Sequence, residues 1–253
     1  MTKTPGADNA TRRGRAPIWP TDGVSPSAQF LSVGFLGLLG VVALGGLLVD
    51  GVAERGIIVA AAFYTLALWL AVAGLRKGYP HPAIGLCNVV TIARLMLTSV
   101  LIAGLFDPDV APWSVFGVAT LALMLDGVDG WLARREGYVS DFGASFDVEV
   151  DSVLALVLAL HAFLGGSVGA YVILLGLPRY LFWIAQFPWP WLKAELPPRF
   201  SRKVVCVLQI SALIAVLLPV IQSPLSDALV GGVALALIWS FWRDVRWLAR
   251  TRA

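Results

Sequence analysis

Charged residues are scarce in this chain of 253 residues: Asp, Glu, Lys and Arg make up 14% of it, whereas hydrophobic residues make up 58%. A soluble domain usually carries about 25% charged residues. The shortage excludes an ordinary soluble protein and places the chain among membrane proteins.

Cysteine and histidine are also rare, with two of each. Cys87 and Cys206 lie in separate apolar runs without CxxC spacing, so no disulfide framework is implied. His81 and His161 are isolated, and we assign neither of them a chemical role. No internal repeat is visible, which removes one common feature of membrane transporters.

Long apolar runs are abundant. Eight of them are long enough to cross a bilayer, which takes roughly 20 residues of helix. Because lipid cannot satisfy backbone polar groups, these runs are expected to be helices, and the predicted fold is an all-α integral membrane protein with eight transmembrane helices. The predicted spans lie near Phe30–Val49, Gly56–Leu75, Ala83–Phe106, Val110–Ala133, Gly143–Leu164, Val168–Phe187, Val204–Ile221 and Leu225–Trp242.

Basic residues fall on one side of this topology. Of the 19 Lys and Arg residues, all except Arg55, Arg94 and Arg179 lie in the segments that share a side with the two termini. The positive-inside rule therefore predicts that both termini are cytoplasmic. Membrane topology also explains the net charge of +3, so a nucleic-acid partner is not expected. The segment 1–26 is rich in Gly, Pro and Arg and is predicted to be a disordered cytoplasmic tail.

Five acidic residues stand where a membrane helix should not carry them. Asp126 and Asp129 end the fourth span, and Asp147, Glu149 and Asp151 begin the fifth. A charge within a span costs about 2.5–3.5 kcal/mol on insertion scales and therefore points to function. Spacings of three and four residues put each Asp pair on one helix face. Four Asp carboxylates can thus point at one place, whereas Glu149 faces away and is predicted to form a structural salt bridge.

Clustered carboxylates need a cation among them. Oxygen-only sites suit hard divalent ions such as Mg²⁺ or Mn²⁺. The small residues Gly130, Ala133 and Gly143 on the same stripes leave room for close helix contact and a phosphate-bearing ligand. Arg134 continues this face and could meet a phosphate or balance the acids. The alternative is that the acids only pair with basic residues at a solvated helix end, which four face-aligned acids disfavour.

The acids are part of a longer pattern. Between Asp126 and Asp151 the chain matches every fixed position of D-x2-D-G-x2-A-R-x8-G-x3-D-x3-D, and this pattern resembles the signature of the CDP-alcohol phosphotransferase family. A second segment, from Asn88 through Thr91 to Arg94, is similar to the family's N-x2-T-x2-R segment. The family core has six transmembrane helices, so the resemblance implies a core over 79–245, two extra N-terminal helices over 27–78 and a basic cytoplasmic tail over 246–253.

The resemblance implies a reaction. Family members transfer a substituted phosphoryl group from a CDP-linked donor to an alcohol and release CMP. For this chain that implies a phosphatidyltransferase of phospholipid biosynthesis, with CDP-diacylglycerol as donor, in the bacterial inner membrane and with its site facing the cytoplasm. A different CDP-linked alcohol as donor stays open, as does a homodimer.

The resemblance also implies site residues. Asp126, Asp129 and Asp147 would be ligands of two Mg²⁺ or Mn²⁺ ions, and Asp151 would belong to the same metal site and act as general base. The implied CDP-binding residues are Asn88, Thr91, Arg94, Gly130, Ala133, Arg134 and Gly143. The physical chemistry agrees, since two cations on a pyrophosphate neutralise the leaving group and a nearby carboxylate can accept a hydroxyl proton.

The acceptor alcohol is less well defined. Arg179, Arg202 and Lys203 could hold an anionic acceptor such as a phosphorylated polyol, although basic residues here also fit the positive-inside rule. Members that make phosphatidylglycerophosphate often carry G-K-x-K-T-x2-Q at this point. Here only Lys203 and Gln209 match that segment, so an uncharged acceptor stays open. An ion-coupled transporter is a remote alternative, because the acids lie at one membrane face rather than at the midplane.

Overall fold

The computed structural model describes residues 23–48, 54–194, 196 and 200–251. These residues form nine α-helices and no strand. The predicted tail over 1–26 lies mostly outside them, as does Arg199. The helices are α1 (Pro26–Leu48), α2 (Glu54–Leu75), α3 (Leu86–Gly104), α4 (Pro112–Glu136), α5 (Asp141–Leu164), α6 (Ile173–Gly176), α7 (Pro178–Ala185), α8 (Phe200–Val216) and α9 (Leu225–Thr251).

Among the described residues, five helices are long and apolar enough to cross a membrane: α1, α2, α3, α4 and α9. The prediction of an all-helical integral membrane protein is therefore confirmed. The count of eight spans is not. Two of the predicted spans are less apolar or shorter than expected. The fifth begins with the acidic turns of α5, and the seventh corresponds to α8, which has 17 residues.

The sixth predicted span, Val168–Phe187, is not one continuous helix. A 3₁₀ turn over Ala170–Val172 leads into α6, and α7 starts anew at Pro178. Proline lacks the N–H that would continue the helix and its ring clashes with the preceding turn. Gly176 at the break packs tightly on α5, since a Cβ there would lie 2.6 Å from the Leu156 Cα. The interruption thus accompanies a close helix crossing.

Helix α3 is the centre of the bundle. Within its apolar window, 72% of the residues are buried, against 22–33% for the other candidate spans. Helices α1, α2, α4 and α5 all pack against it. Two of its buried polar side chains are satisfied within the helix, because Thr98 and Ser99 each donate to a carbonyl four residues earlier, at 2.8 Å. The remaining helices add a second group, in which α8 packs on α5 and α9.

The two N-terminal helices are built into this bundle rather than set apart from it. Glycines let them approach closely: a Cβ at Gly37 would lie 2.0 Å from the Tyr64 hydroxyl, and one at Gly56 would lie 2.6 Å from the Ala103 carbonyl oxygen. The buried Tyr64 hydroxyl donates to the Gly34 carbonyl at 3.0 Å. α1 and α2 therefore cover one side of α3.

Candidate active site

A tight turn brings the two acidic helix ends together. α4 ends at Gly137, whose φ of 76° is the left-handed conformation that glycine adopts without strain. Ser140 then caps α5, and its hydroxyl accepts a hydrogen bond from the Gly143 N–H at 3.1 Å. The short connection keeps the end of α4 and the start of α5 on the same side of the bundle, and both helices pack against α3.

Three of the predicted carboxylates converge. Oxygen atoms of Asp126, Asp129 and Asp147 all lie within 4.8 Å of one another. Asp129 is buried, whereas Asp126 and Asp147 are half-buried. The spacing argument from the sequence predicted this convergence, and the packing of α4 and α5 against the same helix, α3, produces it.

Arg94 of α3 lies among the acids. Its Nη1 contacts Asp129 Oδ2 at 2.8 Å and also Asp147, and its Nη2 contacts Asp126 Oδ1 at 3.0 Å and also Asp151. The arginine side chain is 0% exposed. One guanidinium thus joins all four predicted Asp residues, including Asp151, which the three-carboxylate group leaves out. The sequence predicted Arg94 as a nucleotide contact and missed its place among the acids.

Thr91 reaches the same cluster from one turn earlier on α3. Its hydroxyl lies 3.2 Å from Asp129 Oδ2 and 3.0 Å from the Cys87 carbonyl oxygen. Spacings of three and four residues place Asn88, Thr91 and Arg94 along one side of the helix. The second motif is thereby placed against the first, although about 35 residues separate them in the chain.

The donor set fits a hard divalent cation. Four carboxylates against one guanidinium leave an excess of negative charge, which is costly in a partly buried site unless cations balance it. Oxygens on opposite sides of a Mg²⁺ ion are about 4.2 Å apart, from its ligand distance of 2.0–2.1 Å. At most one pair among three ligands can lie on opposite sides of an ion, so the three carboxylates, whose oxygens lie within 4.8 Å of one another, would draw closer together around a bound Mg²⁺. Asp126, Asp129 and Asp147 can hold such an ion.

The remaining motif residues line the neighbouring surface. A Cβ on Gly143 would lie 3.4 Å from Asn88 Oδ1 and 3.1 Å from Ser140 Oγ, so this position has little room for a side chain. A Cβ on Gly130 would lie 3.4 Å from Arg134 Nη1, which shows that the exposed arginine folds back along its own helix. Ala133 is half-buried on the same turn. These positions are compatible with a nucleotide-binding role, which stays a prediction.

Tyr79 is a supporting residue that the sequence did not reveal. Its hydroxyl accepts a hydrogen bond from Asn88 Nδ2 at 3.0 Å and donates to the Ala83 carbonyl at 3.1 Å. Asn88 is buried, and this contact fixes the orientation of its amide. A lone tyrosine in a connecting segment carries no spacing signal, and only the path of the chain after α2 brings it to Asn88.

The three cations predicted for acceptor binding have different surroundings. Arg179 pairs with Glu149, which confirms the structural salt bridge predicted for that glutamate. Arg202 Nε donates to Asp244 Oδ2 at 3.0 Å, and Lys203 is exposed at the start of α8. Carboxylates thus contact two of the three cations.

Comparison with known proteins places the site in a family. The CDP-alcohol phosphatidyltransferase model matches residues 84–243, well over half of the chain. Two proteins of Mycobacterium tuberculosis, from strains CDC 1551 / Oshkosh and ATCC 25618 / H37Rv, are named "Probable phosphatidylglycerophosphate synthase". Each is 27% identical to this chain over 172 residues, covering 65% of the chain and 80% of the relative. No solved structure gives a significant match.

Proposed function

The chain belongs to the CDP-alcohol phosphatidyltransferase family, and we propose that it moves a phosphatidyl group from CDP-diacylglycerol to the hydroxyl of a small polar alcohol, with release of CMP. The observation that carries the proposal is the convergence of the signature acids at one end of a membrane bundle, with Arg94 among them. The reaction belongs to phospholipid biosynthesis.

Asp126, Asp129 and Asp147 are the proposed ligands of two Mg²⁺ or Mn²⁺ ions. When bound, such cations neutralise the charge on the donor pyrophosphate and align it for in-line displacement. The protein's own contribution is to hold three carboxylates on two helices that one short turn ties together. Thr91 and Arg94 contact Asp129 and restrict its rotamers, so the ligand set is organised before the substrate arrives.

Asp151 is the proposed general base. It lies one turn beyond Asp147 on the same face of α5, and Arg94 Nη2 contacts its carboxylate and orients it. In the proposed step the acceptor oxygen bonds to the phosphatidyl phosphorus and the bond to the CMP oxygen breaks. The acceptor hydroxyl proton moves to Asp151, which is the usual task of a positioned carboxylate in such transfers.

The nucleotide end of the donor is proposed to lie along the segments of α3, α4 and α5 that carry the two motifs. Without side chains, Gly130 and Gly143 leave the backbone open to a ligand, and Arg134 supplies an exposed cation for a phosphate. The proposed nucleotide contacts are Asn88, Thr91, Arg94, Gly130, Ala133, Arg134 and Gly143.

The acceptor is proposed to be a phosphorylated polyol, with glycerol 3-phosphate as the first compound to test. The names of the two mycobacterial relatives support this choice, as do the basic residues Arg179, Arg202 and Lys203. An uncharged polyol is the second candidate. It is favoured by the carboxylate partners of Arg179 and Arg202 and by the incomplete match to G-K-x-K-T-x2-Q.

The proposed location is the bacterial inner membrane, with both termini and the active site on the cytoplasmic face. The one-sided distribution of Lys and Arg supports this orientation, and the acidic cluster lies at the same ends of α4 and α5 as Arg134 and Arg135.

A donor and acceptor panel tests the function. The full-length protein in lipid nanodiscs is supplied with radiolabelled CDP-diacylglycerol, Mg²⁺ and one alcohol at a time: glycerol 3-phosphate, glycerol, inositol phosphate, inositol or serine. The expected result is CMP release and a labelled phosphatidyl product with a phosphorylated polyol. A labelled product with only an uncharged acceptor would support the second candidate. The proposal would be contradicted if no acceptor in the panel led to CMP release, whichever donor was supplied, soluble CDP-alcohols included.

A further inference from the structure

We infer that the start of α1 is a structural part of the active site, with Phe30 and Gln29 as positioning residues for the helices that carry the acids and Arg94. The inference rests on the proposed function for its catalytic readout. The start of α1 lies outside the family match, because that match begins at residue 84. The family resemblance implied only that the two N-terminal helices are an addition to the six-helix core.

Phe30 of α1 packs against α5, the helix that carries Asp147 and Asp151. Its side chain is 0% exposed. Its ring meets Phe142 with centroids 5.9 Å apart and Phe146 with centroids 5.7 Å apart, both edge to face. Tyr79, the partner of Asn88, contacts Phe142 at 5.9 Å in the same manner. One buried ring of α1 therefore belongs to an aromatic group that contacts α5 directly and reaches α3 through the hydrogen bond between Tyr79 and Asn88.

The geometry of α5 turns this packing into a positional constraint. Successive residues of a helix are rotated by about 100°, from 3.6 residues per turn. Phe142 and Phe146 form one stripe, and Gly143 and Asp147 form the adjacent stripe one residue on. A rotation of α5 about its axis moves both stripes together. The ring of Phe30 packs on the stripe next to the acids and opposes such a rotation, and it thereby constrains the direction of Asp147.

Gln29 constrains the other motif helix. Its Oε1 accepts a hydrogen bond from the Ile84 N–H at 3.1 Å, and its Nε2 donates to the Val24 carbonyl at 3.0 Å. Ile84 lies two residues before α3. From the opposite side, the Leu86 N–H donates to Glu136 Oε2 at 3.2 Å. The first turn of α3, which leads to Asn88 and Thr91, is thus held between α1 and the end of α4.

Phe35 lies on the same helix but outside this aromatic group. Phe35, five residues after Phe30, is 60% exposed on the membrane-facing surface. It offers a matched control, because Phe35→Ala removes the same side chain from the same helix without touching α5. The contrast separates a positioning effect from a general effect of shortening an aromatic residue on α1.

The experiment compares Phe30→Ala, Phe30→Leu and Phe35→Ala in the full-length protein in nanodiscs, using only the monodisperse fraction. Two quantities are measured: Mn²⁺ affinity without substrate, by electron paramagnetic resonance of free Mn²⁺, and kcat and KM with CDP-diacylglycerol and acceptor. Phe30→Ala is expected to weaken Mn²⁺ binding and to lower kcat by about tenfold each, the lower end for supporting residues of metal ligands. KM for the acceptor is expected to change little. Phe30→Leu is expected to recover most of the loss, and Phe35→Ala to match wild type.

A second pair of variants covers the case in which Phe30→Ala does not fold. Gln29→Leu removes the acceptor for the Ile84 N–H, whereas Gln29→Glu keeps an oxygen there. The leucine variant is expected to show a lower kcat than the glutamate variant. A folded Phe30→Ala with wild-type Mn²⁺ affinity and kcat would overturn the inference, as would equal kcat values for the two Gln29 variants. If the wild type turns over no donor, the proposed function fails, and the Mn²⁺ comparison still decides the inference.

Discussion

Arg94 Nη1 lies 2.8 Å from Asp129 Oδ2, and both side chains are buried. The contact joins the middle of the bundle's central helix to the end of α4. The same guanidinium also reaches the acids of α5, since Nη1 contacts Asp147 and Nη2 contacts Asp151. The site is therefore held together by one cation from a third helix, and it cannot be described from the acidic motif alone.

Replacing this cation should destabilise the protein and increase its response to metal. Arg94→Gln leaves four carboxylates without their guanidinium partner, and breaking a buried ion pair from one side costs about 3–5 kcal/mol. Added Mg²⁺ is expected to raise the unfolding temperature of the variant more than that of wild type, because a bound cation supplies the missing charge. Thermal unfolding in detergent with and without Mg²⁺ measures both effects.

Arg179→Gln is the matched control for that experiment. Its pair with Glu149 is about half exposed, so its loss is expected to cost less than about 1 kcal/mol and to leave the Mg²⁺ response unchanged. An Arg94→Gln variant as stable as Arg179→Gln would show that the contacts of Arg94 contribute little.

Substitutions at the proposed metal ligands should weaken metal binding without unfolding the protein. Asp126→Asn and Asp147→Asn keep side-chain shape while removing a charged ligand. Mn²⁺ affinity is expected to fall by more than about tenfold, while the unfolding temperature without metal stays near that of wild type. Asp141→Asn is the control, since Asp141 is an exposed acid in the first turn of α5, the helix that carries Asp147. Wild-type Mn²⁺ affinity in both site variants would contradict the ligand assignment, as would full turnover of the wild type in excess chelator.

Asp151→Asn tests the assignment of the general base. The amide keeps the shape of the side chain but accepts no proton, so turnover is expected to fall by roughly 10²–10⁴, the range for general acid–base assistance. Donor and metal affinities should stay close to wild type. Titration calorimetry with a CDP ligand and Mg²⁺ provides the measurement. Affinities that collapse together with turnover would make Asp151 a metal ligand first.

Lys203 should distinguish charged from uncharged acceptors. If it binds the acceptor phosphate, Lys203→Gln removes one charge-assisted hydrogen bond and is expected to raise KM for glycerol 3-phosphate by about tenfold. KM for CDP-diacylglycerol should not change. Lys77→Gln is the control, because Lys77 is an exposed lysine that follows α2. Equal effects of the two variants would assign Lys203 to general surface charge.

Membrane orientation can be checked by labelling single cysteines. In a background with Cys87→Ala and Cys206→Ala, Asp141→Cys should react with an impermeant thiol reagent only from the cytoplasmic side. Asp109→Cys, in the segment between α3 and α4, should react only from the opposite side. Both native positions are exposed. Labelling of the two cysteines from the same side would refute the predicted topology.

The helical class and the core of the site could be predicted from the sequence for simple reasons. Apolar runs of span length require helices in lipid. The Asp126–Asp129 and Asp147–Asp151 spacings follow the helix period, and local geometry alone puts each pair on one face. The short turn between them places the two helix ends on the same side of the bundle. The family resemblance rested on these same local spacings, and the family match over residues 84–243 confirms it.

Contacts between distant segments could not be predicted in this way. The sequence predicted one span over Val168–Phe187, but the crossing of Gly176 with Leu156 and the restart at Pro178 interrupt it. The pairing of Asn88 with Tyr79 and the packing of Phe30 on α5 depend on how the connecting segments run. None of these residues belongs to a spaced pattern that includes its partner.

The sequence by itself thus determined that this protein lies in a membrane, which residues share a helix face and the chemical character of the acidic motif. It could do so because hydropathy and helix period act over a few neighbouring residues. The tertiary structure decided which side chains meet those acids. Burial of α3 among four helices brings Arg94 to the carboxylates. The close approach of α1 packs Phe30 against α5, the helix that carries Asp147. Such meetings depend on the packing of whole helix surfaces, which no local spacing encodes.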